Sequence, residues 1–216
     1  MACQGGCRWG GTYRQQAVTL INALKTHAIT TCNGLTVLKP GDNFGGCDRT
    51  DPSYFAPGYY KVYASVASDS TWTTLANDSY SRLAKVQSAM NGLASNWTDS
   101  SGTIPSGTDG TDGTDGNDAS RVPWRIATDD VWNGEPKAVT FLNNMSSGGI
   151  QRLFAPNSAF RGGLAMSGLQ QSSAKAQTYT DAWLQTASEQ DDAVYYAGTL
   201  RLVYMLIMAQ VFPNGC

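Results

Sequence analysis

Apolar residues recur at spacings of three and four along most of this chain, and that periodicity limits the fold more than any other feature. From residue 12 to residue 28 they occupy positions 13, 17, 20, 21, 24 and 28, which lie on one face of a helix. Seven later segments have the same spacing, and only short pieces alternate as a half-buried strand does. The sequence therefore predicts an all-α protein of about eight helices joined by long loops.

The predicted helices make up a single domain over residues 1–216. They cover Thr12–Ala28, Gly58–Ala67, Thr71–Met90, Ser120–Trp132, Pro136–Met145, Ser158–Leu169, Ala174–Ser188 and Ala193–Gln210. The last helix is apolar nearly all round, which is typical of a helix in the centre of a fold. Its most apolar stretch is too short to span a bilayer, so no membrane association is expected.

Two connections between these helices are unusually long. Residues 32–57 are rich in Gly, Pro, Asn and Asp, and ordered loops of this length are often functional. Residues 98–117 contain a repeated Gly-Thr-Asp triplet and predict a flexible loop. The repeat places an aspartate at every third position rather than at alternate positions, so a solvated loop is favoured over a calcium site.

The cysteines indicate an oxidising environment. Their number is odd, which leaves at least one thiol free or paired between chains; they are Cys3, Cys7, Cys32, Cys47 and Cys216. Cys32 and Cys47 flank a loop-like stretch and would staple it, whereas Cys3 and Cys7 would form a local bridge or two separate ones. His27 is the sole histidine, so disulfides are favoured over zinc, and no metal or other cofactor is predicted. Disulfides in turn predict a secreted, extracellular protein.

The charge of the chain limits the classes of molecule that it is expected to bind. The net charge is −2 and the basic residues are scattered, so no basic face is expected and nucleic acid is not a predicted partner. Only 15% of the residues are charged, while Gly, Ser, Thr, Asn and aromatic residues are plentiful. Such a surface suits an uncharged ligand, and we predict a polysaccharide or oligosaccharide.

Two aromatic clusters have the composition of a sugar-binding surface. Phe44, Tyr54 and Phe55 lie among glycines and prolines, and they offer flat faces on which sugar rings stack or else pack under a structural loop. Tyr195 and Tyr196 stand at the start of the last helix, where they either line a cleft or belong to the core.

Asp118 is the candidate catalytic carboxylate. It lies where a helix is expected to start, three residues before Arg121. An aspartate in this place commonly caps its own helix, and the residues alone favour that role. In the alternative role Arg121 or Arg125 orients the carboxylate and keeps it ionised, as a base that activates water must be.

These clusters together resemble glycoside hydrolase family 8, the bacterial endoglucanases with relatives that act on xylan and chitosan. The matching segments follow in the family's order and are residues 37–42, 51–57, 59–63, 118–127, 157–160 and 195–202. The resemblance implies part of an (α/α)6 barrel and an inverting reaction, in which an acid protonates the leaving oxygen and a carboxylate activates water. It also implies that Asp118 is the general base. By the same resemblance, Phe44 lies at a sugar-stacking position. The positions that match cleft-lining residues are Tyr54, Arg121 and Tyr196. Together with the neighbouring Tyr195, these are the predicted substrate-binding residues.

The chain departs from the family in lacking the segment that carries the general acid. That acid is a glutamate in a Ser-Glu-Gly-Met-Gly-Tyr-Gly-like segment upstream of the matched part, and neither Glu135 nor Glu189 stands in its context. The chain thus resembles the C-terminal half to two-thirds of the catalytic domain, and we expect little or no hydrolysis by this chain alone.

Three hypotheses account for the missing acid. In the first, the chain is part of an endo-β-1,4-glucanase acting on cellulose or β-glucan, and a second chain or a further segment completes the barrel. In the second, it is a non-catalytic descendant that binds glycan or self-assembles. In the third, Asp42 or Asp51 has replaced the acid.

Overall fold

The computed structural model describes residues 11–105, 116–154, 158–186 and 195–214. Within these residues the chain forms eight α-helices and one two-stranded antiparallel sheet. The elements are α1 (Gly11–Ala28), β1 (Ile29–Cys32), β2 (Leu35–Leu38), α2 (Pro57–Ala67), α3 (Thr71–Ala89), α4 (Val122–Asn133), α5 (Pro136–Gly148), α6 (Ser158–Ser167), α7 (Ser173–Leu184) and α8 (Tyr195–Met208). All eight predicted helices are confirmed, although the predicted end of the seventh and start of the eighth lie outside the described residues.

The helices alternate between two layers. Helices α2, α4, α6 and α8 contact one another in succession and form an inner layer. Helices α1, α3, α5 and α7 pack against this layer from outside. The largest side chains between the layers have almost no exposed surface, among them Ile126, Leu142, Leu164, Trp183 and Tyr204. The prediction of an all-α fold is confirmed, and the successive helix pairs follow a curved arrangement of two layers.

The loop predicted between α1 and α2 begins with a β-hairpin that the apolar periodicity did not reveal. Cys32 pairs with Leu35, and the two residues between them, Asn33 and Gly34, have φ of 51° and 81°. Positive φ at both positions is the requirement of the tight turn that joins hairpin strands, and Asn-Gly is its preferred sequence. The apolar run Leu35–Leu38 is therefore a strand rather than part of an irregular loop.

A disulfide fastens this hairpin to the loop that follows it. Cys32 is bonded to Cys47, with Cα atoms 5.4 Å apart, which is one of the pairings that the sequence left open. The end of the loop is held by Thr50, whose hydroxyl donates to the Leu38 carbonyl and whose backbone pairs with Thr98. The other three cysteines lie outside the described residues, as do residues 106–115 of the predicted flexible loop.

The last helix belongs to the inner layer, as expected of a central helix, but the described residues cover only one of its faces. One face of α8 packs against α4 and α6 and buries Tyr204 and Ile207, but Leu202 and Met205 on the other face are 59% and 50% exposed. Helix α1, at the opposite end of the arrangement, likewise exposes apolar side chains, with Leu20 at 70%. Among the described residues, the fold therefore leaves an apolar helix face uncovered at each of its two ends.

The described residues hold no helix that is long and apolar enough to cross a membrane. The same residues contain no group of three or more His, Cys, Asp or Glu side chains placed to hold a metal ion.

Candidate active site

The predicted cleft residues converge where the inner helices begin. A 3-10 turn, Pro52–Tyr54, precedes α2, and a second one, Ala119–Arg121, precedes α4; the two turns contact each other. Tyr196, in the first turn of α8, reaches the same place and donates to the Asn117 carbonyl at 2.6 Å. Three parts of the chain that are distant in sequence thus meet at one end of the inner layer.

The Asp118 carboxylate pairs with Arg121. Its Oδ1 accepts a hydrogen bond from Nη2 of Arg121 at 2.5 Å, and the Asp118 side chain is 36% exposed. The backbone of Asp118 is helical and its side chain makes no capping hydrogen bond, so the helix-cap interpretation is wrong. A carboxylate that is paired with a guanidinium yet open to solvent has the setting in which a base meets water.

The turn that carries Asp118 is held by residues that sequence reasoning missed. The side-chain oxygen of Asn96 accepts from the backbone N–H of Ala119 at 3.0 Å. The hydroxyl of Tyr204 donates to the Ser120 carbonyl at 3.0 Å, and both Tyr204 and Ser120 are fully buried. Asn96 and Tyr204 are distant from Asp118 along the chain, so no local pattern could have identified them. They fix the backbone on which the carboxylate stands.

Arg121 also joins the Asp118 turn to the turn before α2. Its Nη2 donates to Oγ of Ser53 at 2.7 Å and lies 3.7 Å from Oδ2 of Asp51. Its guanidinium is 5.8 Å from the centre of the Tyr54 ring, and that ring is 41% exposed. Asp51 and Ser53 precede the predicted Tyr54 in the same short motif, so the motif was the sequence signal that could have identified them.

Phe44 and Tyr195 stand apart from this cluster. Phe44 is 57% exposed, and its ring lies against Gly41, where an added Cβ would come within 2.5 Å of the ring. Tyr195 is 82% exposed. Within the described part of the chain, the Tyr195 hydroxyl makes no hydrogen bond to the cluster, and the Phe44 ring makes no ring or cation contact with it. The structure therefore brings together Tyr54, Arg121, Tyr196 and Asp118, but not the other two predicted residues.

The other carboxylates considered as acids are placed differently. Asp51 is 2% exposed, and its Oδ1 accepts from the Ser53 backbone, so it has no open path to a substrate. Glu135 lies beyond the far end of α4, a helix of twelve residues that is about 18 Å long. Asp42 is exposed, in the loop that carries Phe44, and Glu189 lies outside the described residues.

Comparison with known proteins identifies the family. A family model, Glycosyl hydrolases family 8, matches residues 3–210. Endoglucanase A of Acetivibrio thermocellus is 34% identical over 95% of this chain and 47% of its own length. Endoglucanase 2 of Ruminiclostridium josui is 31% identical over 97% of this chain and 48% of its own length. The chain spans about half the length of these curated relatives.

Solved structures show the same architecture. A β-1,3-1,4-glucanase from Paenibacillus sp. X4 superposes with a TM-score of 0.80 at 22% identity, over 98% of this chain and 63% of its own. A family 8 xylobiose complex from Teredinibacter turnerae gives 0.78 at 18% identity, over 97% of this chain and 63% of its own. This likeness confirms that the two layers of helices are part of an (α/α)6 barrel. With the family model matching nearly the whole sequence, the chain belongs to glycosyl hydrolase family 8.

Proposed function

We propose that this chain provides the general-base side of an inverting glycosidase site that acts on β-1,4-linked glucan, such as cellulose. The observation that carries the proposal is the Asp118–Arg121 pair, which stands open to solvent between Tyr54 and Tyr196 at one end of the inner helices. The names of the relatives support the substrate class, since two of them are endoglucanases.

The geometry suits activation of water by Asp118. The positive charge of Arg121 stabilises the ionised carboxylate, which is the form that accepts a proton. Oδ1 is engaged by Arg121, which leaves Oδ2 for the attacking water. In an inverting reaction the acid stands across the sugar at about 6.5–9.5 Å from the base, so that water fits between them. Tyr54 and Tyr196 flank the space in which the sugar would lie.

We further propose that the general acid comes from a segment that completes the barrel. The match covers 63% of the chain of each of these solved relatives, so more than a third of each lies outside it. The exposed apolar faces of α1 and α8 lie at the two ends of the arrangement. Apolar helix faces of this kind are usually covered by another element. The completing segment is expected to pack against both faces.

Arg125 supports the same proposal from inside the inner layer. Its guanidinium stacks 3.9 Å from the Trp124 ring and 6.0 Å from the Tyr59 ring, but within the described residues it makes no hydrogen bond or ion pair. Burial lowers the pKa of Arg125 below its ordinary value. A half-buried cation without an acceptor is costly, so the completing segment is expected to bring a carboxylate or carbonyl to it.

A chimera tests the catalytic proposal. The part of Endoglucanase A that precedes its match to this chain, placed before residues 1–216, should restore hydrolysis of barley β-glucan, whereas residues 1–216 alone should show little or none. Asp118→Asn in the chimera should lower kcat about 10²–10⁴-fold, as loss of a general base does. Asp181→Asn, at an exposed position on α7, is the matched control and should leave kcat unchanged.

Two results would contradict the proposal. Robust turnover by residues 1–216 alone, abolished by Asp118→Asn, would show that the chain already holds an acid. An active chimera that is indifferent to Asp118→Asn would remove the base assignment.

The alternative is a non-catalytic protein that binds glycan or self-assembles, and the exposed apolar faces of α1 and α8 are what favour it. Sedimentation velocity shows whether residues 1–216 self-associate. A homopolymer that also binds cellohexaose without hydrolysing it would support this alternative. An extracellular location is proposed in either case, since the Cys32–Cys47 disulfide persists in an oxidising compartment.

A further inference from the structure

Asp51 lies beneath the Asp118–Arg121 pair and takes no part in the proposed reaction. Its side chain is 3% exposed, and its Oδ1 accepts from the Ser53 N–H at 2.7 Å. Its Oδ2 lies 3.7 Å from Nη2 of Arg121. That distance is too long for a hydrogen bond but close enough for a strong ionic attraction where little water intervenes.

The same nitrogen of Arg121 therefore faces acceptors from both turns. Asp118 lies three residues from Arg121, in the same turn. Their pair alone therefore cannot fix the position of this turn relative to the turn before α2. Ser53 and Asp51 belong to the turn before α2, which also carries Tyr54. Beside its approach to the Tyr54 ring itself, the contacts with Ser53 and Asp51 hold the guanidinium against the turn that carries that ring.

The negative charge of Asp51 is not needed for the local turn. The carbonyl of an asparagine at position 51 would accept the same Ser53 N–H bond without the cost of burying a charge. Burial raises the pKa of the Asp51 carboxyl, the hydrogen bonds from Ser53 oppose that rise, the nearby charge of Asp118 adds to it, and the charge of Arg121 opposes it. What an aspartate adds at this position is attraction for Arg121.

We propose that Asp51 is a positioning residue, which acts through Arg121 to fix the Asp118 carboxylate relative to the turn that carries Tyr54. The inference rests on the proposed role of Asp118 as the base, and it assigns Asp51 no contact with substrate. It also accounts for a buried carboxylate that, at 2% exposure, does not reach the cleft.

The test is the mobility of the Arg121 side chain in the 216-residue chain, measured by ¹⁵N relaxation of its Nε–Hε group. Asp51→Asn keeps an acceptor for the Ser53 N–H and is expected to preserve the fold, so it changes mainly the charge. We expect the order parameter of Arg121 to fall in Asp51→Asn, toward the value of about 0.6 that marks a flexible group. It should fall further in the Asp51→Asn/Asp118→Asn double variant than in Asp118→Asn alone. Asp48→Asn, at an exposed aspartate of the same segment, is the control and should match the wild type.

The inference is overturned if Asp51→Asn leaves Arg121 as ordered as in the wild type and the double variant matches Asp118→Asn alone. Titration with cellohexaose separates this result from a failure of the proposed function. If cellohexaose shifts no signal of the Tyr54 and Asp118 turns, the sugar-binding role fails, while the relaxation data still decide whether Asp51 positions Arg121.

Discussion

Asp129 is a charged residue with no exposed side-chain surface, and its replacement by alanine should strongly destabilise the fold. Its carboxylate accepts from Lys61 at 2.9 and 3.0 Å, from the Tyr80 hydroxyl at 2.7 Å and from the Asn133 amide at 2.7 Å. These donors come from α2, α3 and α4, so Asp129 joins two inner helices and one outer helix. The same two inner helices are each preceded by one of the turns of the candidate active site.

The expected cost follows from what Asp129→Ala leaves behind. The Tyr80 hydroxyl is buried and would lose its acceptor, which costs about 1–3 kcal/mol. Lys61 keeps Glu135 at 2.6 Å and is 29% exposed, so it is only partly stranded. Breaking a buried ion pair costs about 3–5 kcal/mol. Because Lys61 keeps one partner, we expect Asp129→Ala to fall near the middle of that range, at about 4 kcal/mol. Tyr80→Phe removes one bond to the carboxylate and should cost about 1.5 kcal/mol.

A double-mutant cycle by urea unfolding, followed by far-UV circular dichroism, measures these free energies. Asp129→Ala should cost about 1–2 kcal/mol less in the Tyr80→Phe background, because no hydroxyl is then left unpaired. Asp181→Ala, at an exposed position, is the control and should stay within about 0.5 kcal/mol of the wild type. The reasoning is refuted if Asp129→Ala costs less than about 1.5 kcal/mol, or if the two substitutions are simply additive.

Two further predictions concern stability. The hydrogen bond from Lys25 is the main cause that lowers the pKa of Asp69 from 3.8 to about 2, so the wild type should be more stable than Asp69→Asn above pH 4 and lose that advantage as the pH falls to 2. The pair is partly exposed, so we expect about 1 kcal/mol, and equal stability of both proteins at pH 6 in urea unfolding would contradict it. Gly162→Ala should cost about 1–3 kcal/mol, since an added Cβ would overlap the Tyr204 ring. Gly198→Ala on exposed α8 should instead raise the thermal midpoint, and equal effects of the two substitutions would argue against close packing of α6 and α8.

The sequence predicted the helices well because their signal is local. Each apolar stripe is carried by residues three and four apart, and burial of that stripe is what stabilises a helix in a folded protein. The hairpin was missed because its strands have four residues each, too few for the alternation to stand out. Its Asn33-Gly34 turn was a local signal that would have revealed it.

The candidate site was only partly predictable. Asp118, Arg121, Tyr54 and Tyr196 lie in short motifs and were located from the sequence. The contacts among them were not, because Tyr196 meets Asn117 across 79 residues and Arg121 meets Ser53 across 68. Sequence spacing favoured a helix cap for Asp118, whereas in the structure the neighbouring Arg121 is its partner.

By itself, the sequence determined that this chain is all-α, where its helices lie and which carboxylate stands at the start of α4. The tertiary structure alone decided that Asp129 is buried, that Asp51 approaches Arg121 and that α8 leaves Leu202 and Met205 exposed. The physical reason is that periodicity records which side of a helix avoids water, but not which neighbour covers it. A buried charge or an open apolar face depends on groups brought together from distant parts of the chain.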